Sequence, residues 1–493
     1  MFEMRTVSQS LGVVSVLAIL LTACAYPVNT QLKKYDATTG YRLQNLSSDE
    51  NSDDIFVILA FSGGGTRAAA FSFGVLEGLR DATYHVPSGT RRLLDDIDVI
   101  SSVSGGSFTA AYYALFRDGI FTDFPSAFLH RNVQGDLIRL ALWPPNWFRL
   151  ASSDFDRVNL AAEYYDEKIF NGKTFGDLLR EHQKPFIILN ATDMTLGRRF
   201  EFTQDQFDLL CSDLSSVKVA TAVAASSAFP GLLSPLTIRN FAAEGCDFKA
   251  PQWLKDALDR DKNPPRRYVH ARDLWSYQDP DERRDYIHLL DGGLGDNIGL
   301  RGPYVALSSQ DSNWSVLSKI NRRQVHRVVV ITANAKTKSH HEWDHEKAAP
   351  GLLDVLSFVA SGPMDNYSFD TVELVRDFFT QLNQDAKGWA DCKNLLQAQC
   401  PAAAMPGVLE PVDLHAAELS FDAIEDENLR RCMEDLPTSF YLPVATVTLL
   451  RQVARLLLMN SKEFRQVMVA LDPAWQPQEV QIDPALRAKV CPG

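Results

Sequence analysis

Ile55-Phe56-Val57-Ile58-Leu59-Ala60-Phe61 is an uninterrupted run of apolar residues, and Gly63-Gly64-Gly65 follows it after a single serine. An apolar run of this length that stops at glycines is typical of a strand buried on both faces of a parallel sheet. Residues 66–80 then place apolar side chains at helical spacing. This stretch therefore predicts a strand, a glycine turn and a helix in direct succession.

The same succession of elements returns further along the chain. Residues 97–101, with Ile97, Val99 and Ile100, form a second candidate strand, which leads into Ser104-Gly105-Gly106 and a helix that reaches residue 116. Residues 185–190 and 328–331 are further candidates for buried strands. Because strands and helices alternate and the strands are apolar, we predict a layered α/β domain with a largely parallel central sheet.

Length, composition and charge narrow the class of protein. The chain has 493 residues, more than one compact core usually contains, so we expect either one large elaborated domain or a catalytic domain with an extension. Its apolar fraction of 45% and charged fraction of 23% are those of ordinary globular proteins. The formal net charge is -13, and the sequence has no basic stripe with interleaved aromatics. We therefore expect no nucleic-acid partner.

The first residues have the layout of a secretory signal. One cation precedes a short apolar run at 11–21, and Leu21-Thr22-Ala23-Cys24 closes it with small residues before a cysteine. These last four residues resemble the lipobox of bacterial lipoproteins, which predicts lipidation of Cys24 and an outer-membrane lipoprotein of the bacterial cell envelope, facing the periplasm. The alternatives are a short membrane anchor or a plain signal with a chance cysteine, but the run is short for a bilayer core of about 30 Å.

The composition of the sequence divides the chain into four parts. We expect a signal peptide at 1–23, a polar tether at 24–54, an α/β catalytic domain at 55–335 and a mainly helical extension at 336–493. Helices are predicted within the extension at 352–359, 369–382 and 444–459. No linker composition separates the extension from the domain, so we expect it to pack on the domain.

Six cysteines remain after Cys24, and an even number suits an oxidising compartment. We expect pairs between Cys211 and Cys246 and between Cys392 and Cys400; buried free thiols are the alternative. No Cys-x-x-Cys spacing indicates zinc.

The first motif with chemical meaning is Ser102-Val103-Ser104-Gly105-Gly106, between a predicted strand and helix. A nucleophile elbow needs small residues on both sides of its serine, because the turn is strained and the strand and helix approach closely. Its context would place the Ser104 hydroxyl at the carboxyl edge of the sheet, where ligands of open α/β folds bind. Ser and Gly also cluster in ordinary loops, so the pattern alone is weak.

The second motif is Gly63-Gly64-Gly65-Thr66-Arg67, at the preceding strand-to-helix junction. Glycines at a helix N-terminus let backbone N–H groups point at one negatively charged atom. For acyl transfer this is an oxyanion hole, with Arg67 adding positive charge or fixing the turn. A phosphate loop is disfavoured because the Gly-Lys-Ser/Thr ending is missing, and a purely structural tight turn is the other alternative.

The third motif is Asp291-Gly292-Gly293, which follows a predicted strand at 286–290. Glycines after the carboxylate leave it uncovered and allow a close approach. Aspartates at strand ends are also common turn formers, so this motif alone decides little.

Together and in this order, the three motifs resemble the patatin-like phospholipase family. Members of that family carry a glycine-rich loop ending in arginine, a Gly-x-Ser-x-Gly elbow and a downstream Asp-Gly-Gly or Asp-Gly-Ala segment. Residues 190–193 with Gly197, and the alanine-serine segment at 224–230, agree with it. The resemblance covers roughly residues 55–335, and with Cys24 it identifies a bacterial lipoprotein member. The departure is Ser102, where the family has glycine.

The resemblance implies a three-layer α/β fold and a lipid acyl hydrolase of phospholipase A or lysophospholipase type, acting on membrane lipid without metal or other cofactor. In the implied mechanism, Asp291 takes the proton of Ser104 as the hydroxyl oxygen attacks an ester carbonyl, and an acyl-enzyme forms. Two alternatives stay open. One is a Ser-His-Asp esterase using a remote histidine such as His288, His326 or His415; the other is a lipoprotein that binds lipid without catalysis.

A competing motif is His341-Glu342-Trp343-Asp344-His345, which matches the His-Glu-x-x-His helix of zinc proteases. That chemistry needs both histidines on one face of a long helix with an apolar opposite face. The flanking residues are polar, and Pro350-Gly351 follows closely. We therefore interpret the motif as a surface cluster and expect no metal site.

Overall fold

The computed structural model describes residues 28–46, 55–87, 89–181, 183–309, 316, 325–338, 347, 351–399 and 412–492. The predicted signal peptide, Cys24, Cys400 and the His341–His345 motif lie outside the described residues. The strands are β1 Thr30–Gln31, β2 Ile55–Phe61, β3 Thr83–Val86, β4 Gly89–Arg92, β5 Ile97–Val103, β6 Phe186–Asp193, β7 Arg198–Glu201, β8 Ser212–Asp213, β9 Leu236–Arg239, β10 Tyr286–Asp291, β11 Arg327–Asn334 and β12 Asp413–Ser420.

Short 3₁₀ and π turns connect many of the longer elements. The α-helices are α1 Gly65–Asp81, α2 Gly105–Phe116, α3 Ile120–Phe124, α4 Val133–Leu142, α5 Pro144–Leu150, α6 Arg157–Tyr165, α7 Phe175–Glu181, α8 Gln204–Asp208, α9 Val219–Ser226, α10 Gln252–Ala257, α11 Pro265–Trp275, α12 Gly293–Asp296, α13 Arg301–Ser308, α14 Leu352–Gln399, α15 Glu427–Glu434, α16 Val444–Asn460, α17 Lys462–Leu471 and α18 Pro484–Val490.

The central sheet has the strand order β12-β11-β2-β5-β6-β10-β9, with β7 paired to β6. Strands β12, β11, β2, β5 and β6 run parallel, whereas β10 is antiparallel to β6 and β9 is antiparallel to β10. Helices flank this sheet. The predicted α/β fold with a largely parallel sheet is confirmed, and the antiparallel edge makes the sheet mixed.

The strands predicted from apolar runs are confirmed. Every residue of β2 and β5 is buried, as expected for central strands covered on both faces. The strand predicted before Asp291 is also present, and its burial alternates between exposed and buried residues. This alternation is typical of a strand that has one face toward the core.

Part of the predicted tether is packed on the domain instead. Within residues 28–46, Tyr41 is fully buried, and its ring contacts Phe186 of β6 with centroids 5.0 Å apart. The Arg42 guanidinium is also buried and forms ion pairs with Asp205 and Asp208. The expectation of a polar tether does not hold for these residues, because a few apolar and charged side chains anchor an otherwise polar segment.

The region after residue 335 is more closely joined to the domain than a helical extension would be. It supplies β12, which pairs with β11 along eight residues and so forms one edge of the central sheet. Two of the predicted helices fall within the single helix α14, and the third corresponds to α16. The boundary of the catalytic domain at residue 335 remains a prediction.

Helix α16 packs along α1, the helix that follows the glycine loop. A Cβ atom added to Gly74 of α1 would lie 2.6 Å from the carbonyl oxygen of Arg451 and 2.8 Å from Ala454 Cβ. The Arg451 guanidinium also pairs with Glu77 at 2.7 Å and 3.0 Å. The two helices therefore approach closely only because α1 has a glycine at the crossing.

One of the two expected disulfides is present, and the other is replaced by a different pair. Cys211 and Cys246 form a disulfide, as expected. Cys432 is bonded to Cys491, and Cys392 is a free, exposed thiol, so the pair between Cys392 and Cys400 was wrong. Sequence spacing favoured the nearer partner, whereas the fold brings the C-terminal end of the chain back to α15. None of the helices in the described ranges combines the length and apolarity needed to cross a bilayer.

We predict that Gly74→Ala lowers stability, because its new methyl group meets the backbone of α16. Overpacking of this kind costs about 1–3 kcal/mol. The matched control is Gly388→Ala, in α14, where an added Cβ meets nothing within 4 Å and helix propensity improves. Thermal unfolding followed by circular dichroism measures both variants. A Gly74→Ala protein as stable as the Gly388→Ala control would contradict the described packing of α16 on α1.

Candidate active site

The register of three strands brings Ser104 and Asp291 to one level of the sheet. Val103, the last residue of β5, pairs with Asn190 of β6. Asp291, the last residue of β10, pairs with Ala191, the next residue of β6. Since Ser104 follows Val103 directly, the serine and the carboxylate meet at the carboxyl end of β6. This is the edge of an α/β sheet at which ligands bind.

Ser104 occupies a strained turn between β5 and α2. Its backbone has φ 49° and ψ -118°, in a region that residues with a side chain rarely adopt. Such a conformation costs about 1–3 kcal/mol and persists only where the surroundings enforce it. The sharp turn from strand to helix holds the serine side chain out at the sheet edge, as a nucleophile elbow requires.

Glycine follows Ser104 because two backbones meet there. A Cβ atom on Gly105 would lie 2.0 Å from the carbonyl oxygen of Gly65, the first residue of α1. A Cβ atom on Gly106 would lie 2.7 Å from Phe61 Cβ at the end of β2. The N-termini of α1 and α2 are therefore in direct contact, and any side chain at residue 105 would push the glycine loop away from the serine.

Ser226, at the end of α9, holds the turn at Ser104. Its hydroxyl accepts a hydrogen bond from the Ser104 backbone N–H at 2.9 Å and donates one to the Asn190 carbonyl at 2.6 Å. Its own carbonyl accepts the N–H of Gly292 at 3.0 Å. Ser226 thus links the strand ends of the serine and of the aspartate. The sequence pattern included it in the alanine-serine segment, but nothing in that pattern showed its role.

Ser102, where a glycine was expected, is accommodated by hydrogen bonding. Its side chain is fully buried, accepts a hydrogen bond from the Ser107 hydroxyl at 3.2 Å and lies 3.4 Å from the Ile188 carbonyl oxygen. The Ser107 hydroxyl is also 2.9 Å from that of Ser226. The hydroxyl of Ser102, which a glycine would not have, is therefore hydrogen-bonded within a chain of hydroxyl groups beneath the turn.

Asp291 is a buried carboxyl group beside the serine. It is 3% exposed and lines the same cavity as Ser104, whose hydroxyl is near enough to favour the ionised form of the carboxyl group. The Gly293 N–H donates to Asp291 Oδ1 at 2.8 Å. Burial raises the pKa of Asp291 to about 6, although the Gly293 hydrogen bond and the Ser104 hydroxyl act in the opposite direction. The group thus has a pKa closer to neutrality than an ordinary aspartate.

Two N–H groups of the glycine loop are already occupied. The N–H of Gly63 donates to the Asn297 carbonyl at 2.9 Å, and that of Thr66 donates to the Ser439 carbonyl at 2.8 Å. We expected all of residues 63–67 to form an oxyanion hole. Gly63 and Thr66 do not point their N–H groups at a ligand, because these bonds fix the two ends of the loop.

Gly64 and Gly65 are the remaining glycines of the loop. Among the described residues, the N–H groups of Gly64 and Gly65 meet no protein acceptor. Gly64 has φ 136° and Gly65 has φ 58°, and Gly65 is the first residue of α1, where N–H groups have no partner within the helix. Both glycines line the cavity that contains Ser104. A helix N-terminus at this point attracts negative charge.

The Arg67 side chain fixes the C-terminal region over the site. Its guanidinium donates to the carbonyl oxygens of Ala335 at 2.9 Å and Leu436 at 2.7 Å, and to Thr438 Oγ1 at 3.1 Å. Of the two roles expected for Arg67, this geometry fits the fixing of backbone. The segment at 434–440, which the sequence patterns did not connect with the site, is held beside the glycine loop in this way.

A cavity of about 570 Å³ opens over Ser104 and Asp291. One wall is formed by the glycine loop and the other by residues 434–440. Phe229, Leu232 and Phe440 give it an apolar side. The other lining residues are Gly63, Gly64, Gly65, Arg67, Ser104, Ser227, Asp291, Asn297, Lys336, Thr337, Glu434, Asp435, Leu436, Pro437, Thr438 and Ser439.

The described part of this cavity is lined by no histidine. His288 lies on the exposed face of β10, where its Nδ1 is 3.0 Å from Thr237 Oγ1, so strand alternation separates it from Asp291. His415 lies in β12 at the edge strand of the sheet, three strands from β5. Within the described ranges, no group of three or more His, Cys, Asp or Glu side chains is arranged to hold a metal ion.

A strained serine at a strand-to-helix turn, at the carboxyl edge of a mixed α/β sheet, defines the class of proteins with a nucleophile elbow. Residues 59–304 match the family described as patatin-like phospholipase. Residues 59–304 thus form a patatin-like phospholipase domain, and the chain has the patatin-like fold. A comparison with curated proteins gave no match.

Solved structures with some similarity include two proteins. Human GIVD cytosolic phospholipase A2 is 13% identical in sequence, with a TM-score of 0.34. The match covers 67% of this chain and 56% of the human chain, so this chain spans about half the length of that enzyme. VipD from Legionella pneumophila is 10% identical with a TM-score of 0.31, covering 91% of this chain and 72% of its own.

Proposed function

We propose that this protein hydrolyses carboxylic ester bonds of lipids, as a phospholipase A or lysophospholipase, with Ser104 as nucleophile and Asp291 as its base. The observation that carries the proposal is the strand register that brings Ser104, in its strained turn, and the buried carboxyl group of Asp291 to one cavity. Burial raises the pKa of that carboxyl group to about 6. A carboxylate with a pKa near the working pH is a better proton acceptor than an ordinary aspartate and is still ionised at neutral pH.

The first half of the reaction forms an acyl-enzyme. Asp291 takes the Ser104 proton as the serine oxygen attacks the ester carbonyl, and the resulting oxyanion faces the N–H groups of Gly64 and Gly65. The tetrahedral intermediate collapses with cleavage of the ester bond, and the leaving alcohol takes the proton from Asp291. The strained turn at Ser104 keeps the nucleophile in place without reorganisation.

The second half releases the fatty acid. Asp291 takes a proton from a water molecule as that water attacks the acyl carbonyl, and the same two N–H groups face the new oxyanion. Collapse of this intermediate breaks the bond to Ser104, which recovers its proton from Asp291. Phe229, Leu232 and Phe440 give the acyl chain an apolar wall within the cavity, which supports a lipid substrate.

We predict that Ser104→Ala and Asp291→Asn each lower kcat/KM for a short-chain p-nitrophenyl ester by roughly 10³-fold or more, since each removes one member of the reacting pair. The control is His288→Ala, which changes an exposed residue on the same strand as Asp291 and is expected to keep full activity. Steady-state kinetics on folded proteins measures all three. If the histidine variant lost activity while Asp291→Asn kept it, a Ser-His-Asp arrangement would replace the proposed pair.

We predict a pH dependence set by Asp291. Its pKa is raised to about 6, so the base is protonated and inactive below that pH and ionised above it. A plot of kcat/KM against pH should therefore rise with an apparent pKa near 6 and level off toward pH 8. A profile that remained level down to pH 4, where an ordinary aspartate titrates, would contradict the role given to the buried carboxyl group.

We also propose that the protein is a lipoprotein of the bacterial envelope, anchored through Cys24, which would hold the enzyme beside its membrane substrate. The disulfides Cys211–Cys246 and Cys432–Cys491 support an oxidising compartment such as the periplasm. Growth of a producing strain with radioactive fatty acid is expected to label the wild type and not Cys24→Ser. An unlabelled wild-type protein would contradict the anchor and leave the proposed catalysis unaffected.

A further inference from the structure

A group of large apolar side chains is exposed along two consecutive helices, α4 and α5, and at the residue between them. We call this group the aromatic patch. Its members, with their exposed fractions, are Ile138 at 48%, Leu142 at 65%, Trp143 at 60%, Trp147 at 56% and Phe148 at 83%. Single exposed apolar residues are common on protein surfaces, but a group of five within eleven residues, including two tryptophans, marks an interaction surface.

The helices that carry the aromatic patch keep other apolar residues for the core. Val133 and Leu137 of α4 are buried, so α4 has both a core face and an exposed apolar side. Two prolines follow Trp143 and begin α5 at once, which places Trp147 and Phe148 one helical turn beyond them. The exposure is therefore a property of ordered helices anchored in the core.

Helix α4, which carries Ile138 and Leu142 of the aromatic patch, begins at the rim of the active-site cavity. Gln134, in the first turn of α4, accepts hydrogen bonds through Oε1 from the Ser439 hydroxyl at 3.1 Å and from the Phe440 N–H at 3.3 Å. Ser439 and Phe440 both line the cavity over Ser104. Tyr441, the next residue, is 44% exposed and adds an aromatic ring at the same rim. The first turn of α4, the helix that carries Ile138 and Leu142 of the patch, is thus joined to the cavity wall by direct contacts.

The charge around the aromatic patch differs from that of the whole chain. Residues 131–150 contain three cations, Arg131, Arg139 and Arg149, and one anion, Asp136. Arg139 pairs with Asp136, and Arg149 pairs with Glu163 outside this stretch, so three cations and two anions give a local net charge of +1. The whole chain has a formal net charge of -13. Arginine at the border of an apolar surface complements the phosphate groups of an anionic lipid layer.

Resting on the proposed function, we propose that the aromatic patch inserts into the interfacial layer of an anionic bilayer and brings the cavity opening to the lipid surface. Tryptophan suits this position because its ring enters the apolar layer while the indole N–H stays among the polar head groups. The two short helices lie on the membrane through one apolar side, with arginines at the head groups.

Insertion is tested with vesicles of equal parts phosphatidylethanolamine and phosphatidylglycerol, some of whose acyl chains carry bromine. Bromine quenches tryptophan fluorescence on contact, so we expect strong quenching of the full-length wild type. Trp143→Phe with Trp147→Phe should remove most of this quenching while keeping the patch apolar. The matched control, Trp389→Phe, changes a tryptophan on α14 that is 57% exposed, and should retain it. Equal quenching in all three proteins would overturn the proposal. A protein that is held at the vesicle only by its Cys24 anchor would give this result.

The consequence for turnover is tested by replacing Trp143, Trp147 and Phe148 together with serine. We expect hydrolysis of vesicle phospholipid to fall by on the order of tenfold, because buried apolar area sets interfacial binding. Hydrolysis of a dissolved p-nitrophenyl ester should be unchanged, since none of these residues lines the cavity. The control replaces Trp389, Leu395 and Leu396, exposed on α14, with serine and should change neither activity.

The two assays separate failure of this proposal from failure of the proposed function. If the wild type hydrolyses no ester, the catalytic proposal fails, but bromine quenching still supports or overturns the insertion of the patch. If the serine variant is fully active on vesicles and the quenching does not depend on Trp143 and Trp147, the patch does not contact lipid. A Phe148→Glu variant, which adds one charge at the most exposed position, replaces the triple variant if that protein does not fold.

Discussion

The backbones of Gly65 and Gly105 touch at the point where helices α1 and α2 begin. A Cβ atom on Gly105 would lie 2.0 Å from the Gly65 carbonyl oxygen, so this contact exists only without a side chain. It holds the N–H groups of the glycine loop beside Ser104, whose own backbone is strained. In the proposed mechanism the rest of the site depends on this contact, because an oxyanion hole works only at a fixed distance from its nucleophile.

The C-terminal region supports this contact from the other side. The Ser439 carbonyl accepts the N–H of Thr66, and Arg67 holds the backbone at Leu436. Helix α16 packs along α1 through Gly74, which keeps the first turn of α1 in position. Although the family match ends at residue 304, one wall of the cavity and one edge of the sheet come from residues after 410. The protein works as one folded unit around its cavity.

Most strands of the sheet and the three motifs of the site could be predicted from the sequence. Apolar runs that stop at glycines located β2 and β5, because a strand covered on both faces must be apolar throughout. The packing of residues 28–46 on the domain could not be predicted, because one buried tyrosine and one arginine hold an otherwise polar segment in place. Strand β12 was also missed, because an edge strand has mixed burial and a weak pattern.

The finer geometry of the site depended on contacts between distant residues. Ser226, Asn297 and Ser439 each bond the elbow or the glycine loop from far along the chain. No local pattern shows such pairings, so all of residues 63–67 were expected to form the oxyanion hole, whereas Gly63 and Thr66 have other partners. The disulfide from Cys432 to Cys491 was missed for the same reason.

The central claim is that Ser104 is a nucleophile activated by its neighbour Asp291. Treatment of the folded wild type with a fluorophosphonate, followed by peptide mass spectrometry, tests it most directly, because this reagent bonds only to activated serines. The account predicts a single adduct on the peptide containing Ser104, formed much more slowly in Asp291→Asn. An adduct on another serine, or an unmodified Ser104 in a folded wild-type protein, would contradict it.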